Sequence, residues 1–206
     1  KKTTTTEFIY SILENSGKKV AMINVLRFVL PSKEWKNHSD NSTPGKLVIR
    51  KFLKEASLED CEYVILEVTS WGIEMMRVFA IAFDISVITN FTYEHVDLHG
   101  SIERYREMKG RLFQMLKSYK KPGQKKVAVL NSDDEHYGHF SSLVAGESVL
   151  YSIKQKDVDI SASNISLEQS SSSFDLHIEN QSKKVQLHIG GVFNISNALA
   201  AVGVAK

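Results

Sequence analysis

Residues 84–113 read DISVITNFTYEHVDLHGSIERYREMKGRLF, and this stretch decides the fold. It opens on an apolar run of strand length, 84–89, rich in β-branched residues. A polar loop, 90–100, follows, and then residues 101–118 (SIERYREMKGRLFQMLKS), strongly helical in composition. Residues 126–130 (KVAVL) form the next apolar run. Upstream, 19–23 (KVAMI) and 62–68 (EYVILEV) are two more. Between them the sequence predicts a loop over 29–42, rich in Pro, Ser, Asn and Asp, and a helix to about Ala56 with Thr43 as N-cap and Pro44 at its first position. Residues 4–16 predict a helix stopped by Gly17. Strands that alternate with helices predict an α/β fold with a mainly parallel sheet flanked by helices.

After about residue 147 the pattern changes. Segments 149–153, 157–166, 173–179 and 184–189 are β-rich and separated by Ser- and Asn-containing turns, among them Ser170–Ser173. This predicts a small antiparallel β element over about 148–190. A last helix, 194–205, follows.

The 206 residues are 42% hydrophobic and 24% charged, with a formal charge of +2. That is enough chain for a sizeable core, and it lacks the basic footprint of a nucleic-acid binder. The basic stretch around Lys120, Lys121, Lys125 and Lys126 sits beside Pro122-Gly123 and reads as a solvated loop. One cysteine, Cys61, allows no internal disulfide and points to a reducing compartment. No apolar run has the length of a membrane helix, and the N-terminus lacks the apolar core of a signal peptide. The expectation is a cytoplasmic monomer with no membrane or nucleic-acid partner.

Several residues carry chemistry. Lys1-Lys2-Thr3-Thr4-Thr5-Thr6 runs straight into a helix; it is either the K-T end of a phosphate-binding loop or a plain threonine-rich helix start. Glu67 closes EYVILEV at a strand's carboxyl end, where open α/β sheets bind ligands, and is either a Mg²⁺ ligand or a solvated carboxylate. His95 and His99 lie in the polar loop without helical context. Lys109 shares a helix face with Tyr105 and Phe113, and either snorkels to water or points into a site. His38, His136, His139, His177 and His188 do not form a metal set.

The order of the fragments says more than any one of them. KTTTT, NSTP, EVTS with Arg77 after it, FDISVITNFTYEHVDLHG, YREMKGRLF, LNSDD and GGVFNISNALAA together resemble the central, ATP-binding domain of a Mur ligase over nearly the whole chain. The stretch from Asp84 to Phe113 resembles the MurE, or UDP-N-acetylmuramoyl-tripeptide synthetase, type most specifically. The resemblance implies a P-loop NTPase-like domain and an ATP-dependent amide ligase of peptidoglycan precursor synthesis. Such an enzyme adds an amino acid to UDP-N-acetylmuramoyl-L-alanyl-D-glutamate through an acyl phosphate. It implies ATP and Mg²⁺ as cofactors, with the UDP-sugar dipeptide and the amino acid as partners.

It also assigns roles. Lys2 and Thr3 match the P-loop lysine and first Mg²⁺ ligand. Glu67 and His95 would hold magnesium near the γ-phosphate. Lys109 matches a lysine carbamylated with CO₂, whose new carboxylate would join the metal ligands; Lys109, His95 and Glu67 are thus the catalytic set. Asn194 and Asn197 match residues near the adenine, Asn194 being equally readable as an N-cap. Ser42, Thr43, Thr69, Ser70 and Arg77 match contacts to the sugar-nucleotide substrate. The sequence departs from the family at Glu94, Trp71 and Asn24-Val25-Leu26. The glycine-rich half of the P-loop and the N-terminal UDP-binding and C-terminal domains are not among these residues, so the chain reads as a truncated central domain that does not catalyse the reaction alone. A folylpolyglutamate or cyanophycin synthetase-like ligase and a non-catalytic nucleotide-binding module are the alternative readings.

Overall fold

Helix α1 (Lys2–Asn15) buries Ile9 and Leu13 one turn apart on a single face, and Gly17 ends the turn after it with a φ of 79°, a left-handed conformation that suits glycine. The computed structural model describes residues 2–39, 41–92, 99–116, 125–144 and 146–206. After α1 come β1 (Val20–Ile23), β2 (Arg27–Leu30), β3 (Lys33–Lys36), α2 (Lys46–Leu58), β4 (Tyr63–Leu66), α3 (Ser70–Glu74) and β5 (Ile85–Ile88). Then follow α4 (Ile102–Met115), β6 (Val127–Asn131), α5 (Tyr137–Ser142), β7 (Glu147–Ser152), β8 (Ile160–Leu167), β9 (Ser172–Ile178), β10 (Gln181–Leu187) and α6 (Val192–Ala205).

The strands form two sheets. One has the order β3-β2-β1-β4, with β1 and β4 parallel and the other pairs antiparallel. The second has the order β10-β9-β8-β7-β6-β5. In it β5, β6, β7 and the start of β8 run parallel, while β8, β9 and β10 form an antiparallel ribbon. The fold is therefore the expected mixed α/β class, with parallel strands flanked by helices and a small antiparallel element. β7 belongs to the parallel part, so the ribbon itself begins at Ile160.

Apolar faces account for the layers. α4 buries Tyr105, Met108 and Phe113, and the cluster beneath it includes Ala128, Leu130 and Phe140. α6 packs Ile195, Leu199 and Ala200 against Val129, Tyr151, Ile160 and Phe174. Each large apolar side chain buried this way contributes about 1.5–3 kcal/mol.

The region 29–42, expected as a loop, contains most of a hairpin. Phe28 stacks on Trp35 at 5.2 Å, the two being direct cross-strand partners, and Pro31-Ser32 is its turn. The loop expected from the Pro, Ser, Asn and Asp of 29–42 is in its first part a paired hairpin, and Pro31 interrupts only the turn. α2 starts two residues later than expected, with Gly45 as N-cap and Lys46 as its first residue; Thr43 is buried instead. Gly191, not Asn194, caps α6.

Among the described residues β4 and β5 each have one unpaired edge, and these two edges line opposite sides of a slot of roughly 1430 Å³. α1 supplies Ile9 and Leu13 to its lining and α4 supplies Lys109, Leu112 and Phe113. Tyr63 and Val64 on β4 are each 38% exposed, although β1 beside them is wholly buried.

Candidate active site

Glu67 follows the last residue of β4, at the carboxyl end of the parallel strands. It is 4% exposed, and its Oε2 accepts hydrogen bonds from the Thr3 hydroxyl at 2.9 Å and from the Val25 backbone N–H at 3.2 Å. The structure thus brings together Thr3 and Glu67, residues 64 apart in sequence. Lys2, Thr3, Glu67 and Lys109 all line the slot. Among the described residues no group of three or more His, Cys, Asp or Glu side chains is placed to hold a metal ion. The hydroxyl–carboxylate pair still suits Mg²⁺, which takes few protein oxygens and completes its shell with water and phosphate. His95, the further ligand expected from sequence, lies outside the described residues.

Lys109 leaves α4 toward the loop after β5. Its Nζ donates to the Asn90 carbonyl at 3.3 Å and sits 4.8 Å from the Tyr105 ring centroid and 5.3 Å from that of Phe91. The aromatic face read from the sequence therefore exists, with Phe91 on it, whereas Phe113 is core. The LNSDD segment fixes the loop that carries these contacts. Asn131 Nδ2 donates to Thr89 O at 2.9 Å, the Tyr151 hydroxyl reaches the same oxygen at 3.3 Å, and Asp134 accepts from the Phe91 N–H at 2.5 Å. Burial pushes the Tyr151 hydroxyl far up, so it stays a donor.

The sugar-nucleotide contacts expected from sequence divide into two groups. Thr43 is 2% exposed and donates to Glu67 O at 3.0 Å, while it accepts from Thr69 N at 2.8 Å. The Thr69 hydroxyl lies 3.1 Å from that of Thr43 and accepts from Gly72 N at 3.0 Å, capping α3. With its donor and both acceptor positions engaged, Thr43 is a scaffold latch rather than an available ligand contact. Arg77 grips the same turn, donating to Thr43 O at 2.7 Å and to Asn41 Oδ1 at 3.1 Å. Ser42, Thr69 and Ser70 line the slot, and Ser70 opens α3.

Asn194 donates to Gly190 O at 2.7 Å; Asn197, 4% exposed, accepts from the Thr5 hydroxyl at 3.3 Å and reaches Asn194 Oδ1 at 3.4 Å. Both asparagines are therefore tied to the start of α1, which carries Lys2 and Thr3. Asn24, read only as a departure from the family, is fully buried and organises its own turn. Its Oδ1 accepts from Leu26 N and Arg27 N, and its Nδ2 donates to Glu7 at 2.8 Å.

The sequence reading missed one cluster. His99, taken for a loop histidine, has a wholly buried side chain. It lies 2.5 Å from Glu74 Oε2 through Nδ1 and 2.9 Å from Ser70 Oγ through Nε2. The i, i+4 spacing of Ser70 and Glu74 was visible, but nothing in SWGIE announced a helix.

The family described as the Mur ligase middle domain matches residues 2–205. A UDP-N-acetylmuramoyl-L-alanyl-D-glutamate–2,6-diaminopimelate ligase of Syntrophomonas wolfei is 34% identical over 204 residues, covering 99% of this chain and 40% of its own. The solved structure of a ligase of the same description superposes with a TM-score of 0.84 at 24% identity, over 98% of this chain and 40% of that one. A MurF ligase of Thermotoga maritima, solved with ADP, superposes with a TM-score of 0.68 at 17% identity, over 98% and 42% of the two chains. The chain thus spans about 40% of the length of these relatives.

Proposed function

This chain belongs to the Mur ligase family, matching its middle domain, and on that premise we propose that it is the ATP-binding part of a MurE-type ligase. The longer protein would join an amino acid to UDP-N-acetylmuramoyl-L-alanyl-D-glutamate, with ATP and Mg²⁺. The observation that carries this reading is the convergence of Thr3 and Glu67 at the carboxyl end of β4, with Lys2 and Lys109 on the same slot. Two anions, a carboxylate and a triphosphate, must approach each other in such a reaction, so cations and oriented donors have to offset their repulsion. Mg²⁺ when bound would supply charge at the phosphates and polarise the oxygen that is attacked.

In this reading Thr3 and Glu67 hold the metal from the protein side, and His95 joins them. Lys2 faces the phosphates. Lys109 as the ammonium is aimed by Asn90 O and the two aromatic rings; carbamylated, its new carboxylate would join the metal ligands. Asn194 and Asn197 support the adenine end, and Asn197 acts there by fixing α1 against α6. Ser42, Thr69, Ser70 and the turn held by Arg77 face the sugar-peptide substrate.

The slot between β4 and β5 supports the further reading that the domain is incomplete at its centre. The outer edges of the two sheets carry charges, Lys33, Glu34 and Lys36 on β3 and Lys183 and Lys184 on β10. β4 (YVIL) and β5 (ISVI) carry none and read as interior strands of a parallel sheet. We propose that a strand from the longer protein, leading into α1 through a P-loop, fills the part of the slot between β4 and β5 and joins the two sheets, leaving the part at the carboxyl ends of the strands, where Glu67 and Ser70 lie, to the ligands.

The test is ADP release by the full-length protein with the UDP-sugar dipeptide and a panel of amino acids. Turnover that needs both substrates and Mg²⁺, with kcat lowered about 10²-fold or more by Lys109→Ala or Glu67→Gln, is the expected result. Equal turnover with a folate substrate, or ATP binding without any ligation, would replace this reading by one of the alternatives.

A further inference from the structure

Ser70 and Glu74 stand one turn apart at the two ends of α3, and the His99 ring bridges them. The ring is enclosed by the Trp71 ring at 6.2 Å and the Tyr105 ring at 5.3 Å between centroids. The charged groups facing it come from α3 and α4. Glu74 accepts from Arg104 Nε at 3.1 Å on its other oxygen; Arg104 also pairs with Glu107 at 2.9 Å, and Glu107 with Arg111 at 3.0 Å. Ser70 alone of the three bridged residues lines the slot.

The hydrogen inventory of this row has one consistent solution for a neutral ring. The Glu74 carboxylate can only accept, so Nδ1 carries the ring proton and donates to it. The hydrogen bond at one ring nitrogen sets the state of the other, which leaves Nε2 bare. Nε2 then accepts the Ser70 hydroxyl proton. The Ser70 oxygen is left with its lone pairs toward the slot.

We propose that Glu74 and His99 are positioning residues that hold Ser70 as a hydrogen-bond acceptor, so that this subsite takes an N–H or O–H group of the substrate and turns away carboxylate and phosphate oxygens. An amide N–H of the peptide arm or a sugar hydroxyl has the required chemistry. The proposal rests on the reading of the carboxyl-end part of the slot as the substrate side of a ligase, and it adds the polarity of one contact. A site that needs a donor discriminates strongly, because a wrong partner leaves a buried polar group unpaired.

Glu74→Gln is the sharp variant. Arg104 donates to one side-chain oxygen, so the glutamine keeps its carbonyl there and turns its NH₂ to Nδ1. The ring must then carry its proton on Nε2 and donate to Ser70, whose hydroxyl swings outward as a donor. The experiment uses the full-length protein labelled with ¹⁵N-histidine, the His99 signals being identified by their loss in His99→Gln. The expected result is an Nδ1–H tautomer with bare Nε2 in the unmodified protein and the opposite tautomer in Glu74→Gln. In steady-state assays, KM for the UDP-sugar dipeptide should rise about tenfold to a hundredfold in Glu74→Gln and Ser70→Ala, with kcat and KM for ATP within a few-fold. His99→Gln, whose amide oxygen can still accept from Ser70, should recover part of the loss seen in His99→Phe.

A doubly protonated or Nε2–H ring in the unmodified protein overturns the proposal, as does an unchanged dipeptide KM in Glu74→Gln. If the unmodified protein ligates no amino acid to any UDP-sugar peptide, the functional reading fails and the substrate half of the proposal with it. The tautomer measurement separately decides the relay.

Discussion

At the residue scale the proposed site depends on groups whose hydrogen bonds go to other protein groups. Thr43 pins the backbone on both sides of Val68, just after Glu67, and is itself pinned by Gly72. A Cβ at Gly72 would meet the Thr43 Cβ and Cγ2 at 2.7 Å. Thr43 cannot move aside without giving up its hydrogen bonds, so Gly72→Ala should cost about 1–3 kcal/mol in urea unfolding. An unchanged unfolding midpoint would show that the latch is loose. Glu74 gives a second expectation. Burial pushes its carboxyl up, but hydrogen bonds from His99 and Arg104 outweigh this and hold it below its ordinary value of 4.5. Its folded value lies below its unfolded one, so its stabilising contribution is complete above 4.5 and is lost as pH falls through the folded value. The melting temperature of the unmodified protein should therefore fall more steeply than that of Glu74→Gln on acidification below that point. Parallel curves would remove Glu74 from the acid response.

At the element scale the parallel strands were legible because each is a short, nearly continuous apolar run, as YVIL and ISVI illustrate. α1, α4 and α6 were legible because each is 14 residues long, enough for helical periodicity or composition to show. α3 and α5, with five and six residues, fall below that length. The β2–β3 hairpin was hidden for another reason. Its pairing is carried by Phe28 on Trp35 and by Arg27 with Glu34, contacts that exist only once the chain has turned back. The same holds for the site. Glu67 and Lys109 were visible through strand-end position and aromatic spacing, whereas the His99 row needs α3 and the end of the 90–100 loop to meet in space.

The open edges of β4 and β5 also belong to this scale. If an upstream strand fills the slot, backbone amides of β4 and β5 that exchange quickly in the 206-residue chain should become among the most protected in the full-length protein. Hydrogen exchange read by mass spectrometry on both would show it. Equal, fast exchange of those amides in both would rule out a strand there.

At the scale of the whole molecule, the two sheets share helices rather than hydrogen bonds. α1 packs on α6 through Ile9, Leu13 and Ala201, and α1 reaches β1 while α6 covers β6, β7 and β8. The residues proposed to bind the nucleotide follow this division. Lys2 and Thr3 sit on α1 and the two asparagines on α6, so one helix pair both bonds the halves and builds the proposed ATP site. The sequence showed the two ends of that arrangement, KTTTT and NISNALAA, without showing that Thr5 and Asn197 touch.

The unpaired edges have a kinetic consequence as well. β4 and β5 point the same way in the proposed joined sheet, carry no charge, and are connected by about 18 residues, a length that suits a crossover between neighbouring parallel strands. Nothing in YVIL or ISVI opposes their pairing directly with each other. Closing the sheet one strand short is therefore a competing state that local sequence does not penalise, a trap of the kind expected for non-local parallel pairings. A strand seated early between them would remove the trap, because its presence keeps the two edges from meeting. Order of arrival, as much as final stability, would then decide whether this chain reaches its native topology.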